Sequence, residues 1–432
     1  MKRGFKFFIL LALMAAPSLA MCAGFFIHEL GVKSFGRGGA FIVKADDLSC
    51  LYLNPAGLSK IKGTVLKGEF TWGMMPLEYQ REEWLRPVEN ENPGDGLPFG
   101  AVSTDLGLKD WTFAIGVYGP YGIGVIYDRE GPQRYAALDV LTLAVHNEFA
   151  VGWHPLSWLR VGAGVLNVWL MRYDHYAYSF LGDDNVDYDI VASFSGASYD
   201  TFTWNAGIIV QPIKKLEFGF SYIPEIPAKL YGKLEADLPK FYAAMLGTDK
   251  YKDDLTMTTV IPQNIRGGVR YIFSDRFDLE FDTTWNQWSR QKCFDINLKK
   301  ETIIKDFKIP KVNQDTWNFR IGGDYKINKI FTVRAGYYYD QPASKPKYLG
   351  PGGIETDRHA IGAGTTISKW GIDLDAGYMH IFQVPIEIHN AAPAGVLDDG
   401  RGDYTSSFDL VGLALNINFG KFFKAHRGEL VE

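Results

Sequence analysis

Residues 35–58 read FGRGGAFIVKADDLSCLYLNPAGL, and two blocks in them stand out: Ala45-Asp46-Asp47-Leu48-Ser49 and Asn54-Pro55-Ala56-Gly57-Leu58. The stretch has neither the period of two of a strand nor enough length at period 3.6 for a sizeable helix. Gly31, Gly36, Gly38 and Gly39, short acidic side chains and the Asn54-Pro55 turn signal dominate it. Lying ahead of a long run of alternating segments, it reads as a compact plug that the rest of the chain encloses. Asn54, Pro55 and Ala56 are its most distinctive residues.

Upstream, Lys2, Arg3 and Lys6 precede an apolar run from Phe7 to Ala16, with small residues around Ser18, Ala20 and Cys22. This is the pattern of a secretory signal, assigned to residues 1–22, and the run is too short to cross a bilayer as a helix. No second uninterrupted apolar stretch follows, which excludes transmembrane helices. Aromatic residues make up 15% of the chain, yet mean hydropathy is only −0.10, so apolar residues are spaced singly rather than in blocks. A net charge of −5 gives no reason to expect nucleic acid as a partner. Cys50 falls in the plug and Cys293 in a late loop, so no disulfide is expected.

Past residue 63 the period becomes two. Leu66, Phe70 and Trp72 alternate with Lys67, Glu69 and Thr71, and Phe277, Leu279 and Phe281 alternate with Asp278, Glu280 and Asp282. One apolar and one charged face per segment is what a strand between lipid and lumen requires. Fourteen such segments lie near 64–76, 99–108, 111–127, 138–153, 158–173, 200–211, 215–223, 260–273, 276–288, 315–327, 330–340, 358–368, 370–383 and 406–419. Their connections alternate strictly between short and long, as the periplasmic and extracellular turns of an outer-membrane barrel do. A soluble sandwich has no reason to sort its loops this way. Trp111, Trp153, Trp158, Trp317 and Trp370 stand at strand ends, where an aromatic girdle meets the headgroups. The expectation is an all-β, 14-stranded antiparallel transmembrane barrel over 64–419, plugged by residues 23–63, with a charged tail over 420–432.

Two places break the pattern. Gly119-Pro120-Tyr121-Gly122 interrupts the third strand, and proline cannot donate to a ladder that has no free edge. Either the strand kinks there and leaves a gap in the wall, with Gly119, Pro120 and Gly122 as its residues, or it ends at Gly119 in a turn. In the loop 224–259, Leu238, Phe241, Tyr242 and Met245 fall at i, i+3, i+4 and i+7, with Leu234 one turn earlier. They predict a short amphipathic helix whose apolar face covers the barrel mouth, an odd choice for a pore that passes hydrophilic solutes.

With these residues in hand, the chain resembles the FadL/TodX family of outer-membrane transporters of long-chain fatty acids and other hydrophobic compounds. The resemblance rests on the two plug blocks, Tyr118-Gly119-Pro120-Tyr121-Gly122, Trp285-Asn286-Gln287-Trp288-Ser289, Asp315-Thr316-Trp317 and Arg334-Ala335-Gly336 before Asp340. It implies an N-terminal hatch, a capture groove among the outer loops, a deeper pocket against the hatch, and a lateral opening at an inward kink of the third strand. It also makes Phe25, next to the implied mature N-terminus, a candidate gate. Members that carry fatty acids present basic side chains to the carboxylate. Here Gln314 and Tyr176 stand near the expected places, and Arg172 and Lys311 are the nearest basic residues, so the anchor does not transfer residue by residue. Fatty acids and aromatic or aliphatic hydrocarbons both remain open as cargo.

The partners expected are a hydrophobic small molecule and outer-membrane lipid with lipopolysaccharide, for a monomer without cofactor or metal. The competing readings are a barrel enzyme and a structural or adhesin barrel. No Gly-x-Ser-x-Gly, metal-spaced cluster or phosphate loop supports an enzyme. His146 and Glu148 share one lumen face, which reads as a solvated charged wall.

Overall fold

The computed structural model describes residues 30–179, 184–300, 306–389 and 400–427. Fourteen strands form the wall: β1 (Val65–Met74), β2 (Asp95–Thr104), β3 (Trp111–Ile126), β4 (Asp139–Leu156) and β5 (Leu159–Ser179). They continue as β6 (Asp189–Ile213), β7 (Leu216–Ile223), β8 (Asn264–Ser274), β9 (Phe277–Asn286) and β10 (Thr316–Lys326). The last four are β11 (Phe331–Asp340), β12 (Arg358–Lys369), β13 (Ile372–Gln383) and β14 (Gly402–Asn418). Each pairs antiparallel with its neighbours in chain order, and β14 returns to β1 through a ladder from Val65↔Asn418 to Met74↔Asp409. The sheet is a closed barrel, so it has no first or last strand with a free edge along its length.

Alternation along each strand is what sorts the two faces. Phe70, Trp72, Ile115, Phe149, Phe218, Phe281 and Leu413 are exposed on the outside, whereas Lys67, Glu69, Glu148, Glu280, Asp282 and Asp324 are buried toward the bore. The five girdle tryptophans are all exposed, and Trp111 stacks on Trp153 at 5.1 Å between centroids.

Above the wall the strands run further than their alternation suggests. β5 reaches Ser179 and β6 starts at Asp189, so the expected loop 174–199 shrinks to a short connection. The loop 224–259 is mostly a hairpin, Ile226–Asp237 with Lys250–Ile261, whose first arm pairs with the outer end of β6 from Tyr231↔Ala197 to Asp237↔Val191. Cys293–Leu298 then adds to the second arm through Leu255↔Leu298 to Thr258↔Asp295. β8 accordingly begins at Asn264 rather than 260 and β14 at Gly402 rather than 406. β2 likewise starts earlier, at Asp95 rather than 99, and ends at Thr104 before a turn. These polar-faced segments lack the lipid-facing apolar repeat, yet they find partners in one another.

Candidate functional site

The segment from Leu30 to Lys62 lies inside the ring of strands, and most of it is fully buried. Its backbone comes very close to the wall at rows of paired glycines. Gly152, Gly162 and Gly207 sit opposite one another on β4, β5 and β6. A Cβ on Gly162 would lie 2.3 Å from the Pro55 carbonyl, and one on Gly207 would lie 1.9 Å from Asn54 Oδ1. Across the bore, Gly322, Gly336 and Gly362 pair on β10, β11 and β12, and Cβ atoms there would meet Arg37 O at 1.9 and 2.0 Å and Phe35 O at 2.0 Å. Any larger residue would push the segment off its seat.

Asn54, Pro55 and Ala56 thus have a structural task. Asn54 caps the six-residue 3-10 turn Pro55–Lys60 by accepting from Ala56 N at 3.2 Å, and its Nδ2 donates to Ile42 O at 2.9 Å. The side chain ties the two halves of the segment together.

Charge completes the seat. Arg37 is fully buried, with Nη1 2.7 Å from Asp324 and Nη2 3.0 Å from Asp278 and 3.3 Å from Glu280. Burial opposes its charge, but Asp324, Asp278 and Glu280 outweigh that and hold its pKa above the ordinary arginine value. Asp282 accepts from the Phe41 and Ile42 amides at 2.8 and 3.0 Å, and Glu280 from those of Val43 and Lys44 at 2.7 and 3.0 Å. Lys67 joins Asp47 at 2.9 Å to Glu69 at 3.0 Å, and Glu69 accepts from Val32 N. The polar lumen faces are therefore docking groups for a folded segment rather than a solvated channel lining.

On the periplasmic side, that of the short turns, a bowl with about 920 Å³ of empty space, including the open solvent at its mouth, lies among Lys33, Asp46, Lys60, Lys62, Asp373 and Lys421. Burial, together with nearby Arg270 and against the pull of Glu217, lowers the Lys60 pKa to about 8.

The outer half is apolar. Leu170 of β5, Leu230 and Ile261 of the hairpin, Trp288 and Phe294 border a cavity with about 490 Å³ of empty space, including its mouth. Arg172 also lines it. Its Nη1 donates to Thr142 Oγ1 at 2.9 Å, a second arm pairs with Asp174, and the guanidinium lies 4.7 Å from the Phe294 ring centre. Lys311 Nζ is 5.8 Å from the same ring. Two cations remote in sequence converge on one aromatic at the edge of the apolar space. Gln314 is turned away, its amide donating to Pro342 O at 3.1 Å, and Tyr176 is buried edge-on against Phe194.

β3 does not end at Gly119. It continues to Ile126 through a one-residue bulge, with Tyr118 opposite His146 but Tyr121 opposite Ala144. The extra residue inverts the facing, as a bulge must: Thr112, Ala114 and Tyr118 are buried before it, Val125 and Tyr127 after it. The β2–β3 ladder stops at Phe99↔Tyr118, while β2 stays paired to β1 as far as Asp95. Higher up there is no ladder between the two strands: Asp95 accepts from Gly124 N at 3.1 Å, and just ahead of β2 Asn92 donates to Gly124 O at 2.9 Å and the Glu91 amide to Ile126 O at 2.7 Å. Between these lips lie Leu97 and Gly119–Gly122. A Cβ at Gly119 would meet nothing nearer than Ala144 O at 3.4 Å, and one at Gly122 the end of Leu97 at 3.2 Å. Neither glycine has a positive φ. Their missing side chains therefore leave space, not conformational freedom.

A network links this place to the buried segment. Tyr118 hydrogen-bonds Glu148, which also accepts from Asn205 Nδ2 at 2.9 Å, and the same amide donates to Leu51 O at 2.9 Å. His146 lies against the rings of Tyr52 and Tyr118. Glu148 and His146 are buried, which corrects their reading as a solvated wall.

The outer helix is Lys240–Leu246, shorter than its periodicity suggests. Leu234 belongs to the hairpin arm instead, because a spacing of four also satisfies period two. Leu238 and Tyr242 pack into the outer apolar cluster, whereas Phe241 and Met245 are exposed. None of the four borders the cavity. Phe25 and the signal segment lie outside the described residues. Trp288, Phe294 and Leu230 border the cavity without standing out in sequence, although Trp288 lies in a block that carries the resemblance. Ser289 N of that block donates to Asp315 at 3.1 Å, so two of the blocks meet.

A closed fourteen-strand antiparallel barrel with a lipid-like exterior and an apolar outer cavity is an outer-membrane transport barrel. The chain belongs to the outer membrane protein transport protein family (OMPP1/FadL/TodX), whose sequence model matches residues 13–419. It is 21% identical to an outer membrane protein of Neisseria meningitidis serogroup B over 96% of this chain and 98% of that one. Outer membrane protein P1 of Haemophilus influenzae is 24% identical over 50% of this chain and 47% of its own. In fold it is similar to a Pseudomonas aeruginosa FadL homologue, with a TM-score of 0.79 at 19% identity over 92% of this chain and all of that one. The Pseudomonas putida toluene transporter TodX gives 0.67 at 15% identity, covering 89% and 97%.

Proposed function

We propose that this chain carries hydrophobic molecules bearing one anionic head, such as long-chain fatty acids, inward across the outer membrane without an energy source, and releases them sideways between β2 and β3. Residues 30–62 act as the hatch. Apolar surface leaving water contributes roughly 25 cal/mol per Å², so the outer cavity captures cargo directly from the aqueous side. Arg172 and Lys311 receive the head group while the tail lies against Leu170, Leu230 and Ile261. Pure hydrocarbons would use the same space and leave the two cations unused.

The observation that carries the lateral route is a contrast of linings. Straight down, the path ends in the bowl of Lys33, Asp46, Lys60 and Asp373, where an apolar chain gains nothing by entering. Sideways, Leu97, Phe99, Tyr118 and Leu143 offer apolar and aromatic surface beside two side-chain-free positions. All of these groups come from a single chain, so a monomer suffices.

The test is Gly119→Val with Gly122→Val. Both positions accept a Cβ at 3.2 Å or more, so the barrel should fold and show its normal heat-modifiable gel mobility. Uptake of a labelled fatty acid into proteoliposomes should fall at least tenfold while binding to the outer cavity persists. A well-folded double variant that transports normally would refute lateral release.

A further inference from the structure

The family match ends at residue 419, where a helix begins, Phe419–His426. Asn418 caps it by accepting from Lys421 N at 3.1 Å. Phe419, Phe422, Phe423 and His426 fall at i, i+3, i+4 and i+7 on one face, and Lys421 and Lys424 on the opposite one. Phe419 stacks on Phe423 at 6.2 Å, yet Phe423 is 56% exposed. The helix follows the last lipid-facing strand directly and is fixed at the periplasmic rim. Asn418 N donates to Gly371 O at 2.7 Å, Phe419 N donates to Thr64 O at 3.0 Å, and a Cβ on Gly371 would lie 2.6 Å from Phe422 N. The adjoining turn holds Trp370 with φ +57° and 56% exposed, and Lys369 Nζ stands 3.9 Å from its ring. A left-handed conformation is costly for a bulky residue. Trp370 and Gly371 (φ +79°) are the two central residues of the tight β12–β13 turn, which requires positive φ at both, and the turn holds the indole outward at the rim.

We infer that this helix is an interfacial anchor that lies in the periplasmic leaflet and binds anionic phospholipid head groups. The aromatic face continues the lipid-facing wall and its girdle. Lys424, and Lys421 at the edge of the bowl, project from the other face of the helix toward the level of the phosphates, and Lys369 precedes the adjoining turn. Aromatic groups on one face and lysines on the other are the composition of helices that lie in the headgroup plane. Each lysine near an anionic surface is worth about fivefold in the binding constant.

The experiment uses the full chain with Cys293→Ser and Phe423→Cys, spin-labelled at 423 and placed in lipid nanodiscs. One set is phosphatidylcholine alone, the other contains one third phosphatidylglycerol. Relative collision rates with oxygen and with a water-soluble nickel chelate report the depth of the label. In phosphatidylglycerol discs the label should sit below the phosphates. Lys421→Gln with Lys424→Gln, at unchanged gel mobility, should lower the seated-to-free ratio about twenty-fivefold. A label in water in both lipids overturns the proposal and leaves the helix as a surface for a soluble partner. A label equally deep in both lipids, or indifferent to the glutamines, overturns the assignment to anionic lipid.

Discussion

Replacing Arg37 by methionine keeps most of the side-chain volume and removes only the charge and its donors. Three carboxylates, Asp278, Glu280 and Asp324, then lose a partner within 3.3 Å. Breaking a buried ion pair from one side costs about 3–5 kcal/mol. The low end applies here, because Arg270 at 3.0 Å from Asp278 and Lys44 at 3.5 Å from Asp324 still offset part of the stranded charge. About 3 kcal/mol corresponds to roughly a hundredfold in population at 1.36 kcal/mol per decade, and it falls on the seating of the buried segment because the barrel ladders do not involve Arg37. The amides of Phe41, Ile42, Val43 and Lys44 report that seat, since all four donate to Asp282 or Glu280. Their hydrogen-exchange protection in detergent micelles should drop about a hundredfold, while amides of the β12–β13 ladder keep theirs. Adding Asp324→Asn should restore part of the loss by removing one stranded charge. A change under tenfold at residues 41–44, or an equal fall in the wall strands, would refute the reasoning that a local ion cluster seats the buried segment.

Other expectations are briefer. Arg172→Gln with Lys311→Gln should weaken fatty-acid binding by roughly tenfold to a hundredfold, the value of one or two charge-assisted hydrogen bonds. Binding of an uncharged hydrocarbon should change less than twofold, and competition calorimetry on the purified barrel separates the two. Lys60, with a folded pKa of about 8 against an ordinary 10.5, binds its proton less readily in the seated segment than in a released one. The released state therefore holds more protons between pH 8 and 10.5, so seating should strengthen as pH rises through that window and be flat for Lys60 below it. Exchange protection at residues 41–44, corrected for intrinsic rates, should rise from pH 8 to 9.5, and Lys60→Met should abolish the rise.

Much was written in the chain itself. Strict alternation past residue 63 and the sorting of loops into short and long determine an antiparallel barrel of fourteen strands, because period two with one lipid face leaves no other closed arrangement. Pro120, between Gly119 and Gly122, marks the bulge beside which the β2–β3 ladder stops. Other features exist only once strands are neighbours. Gly322, Gly336 and Gly362 look like scattered glycines until registry sets them side by side beneath Arg37 and Phe35. Arg172, on β5, and Lys311, in a late loop, become one cationic pair only when the fold brings both to the ring of Phe294. The outer hairpin alternates too, but one face packs into the outer apolar cluster while the other, with Lys229, Lys233, Glu235 and Asp237, is largely polar and carries no lipid-facing repeat. Local periodicity reports what surrounds a strand, whereas register and closure decide which distant side chains share a cavity, and that sharing sets the site.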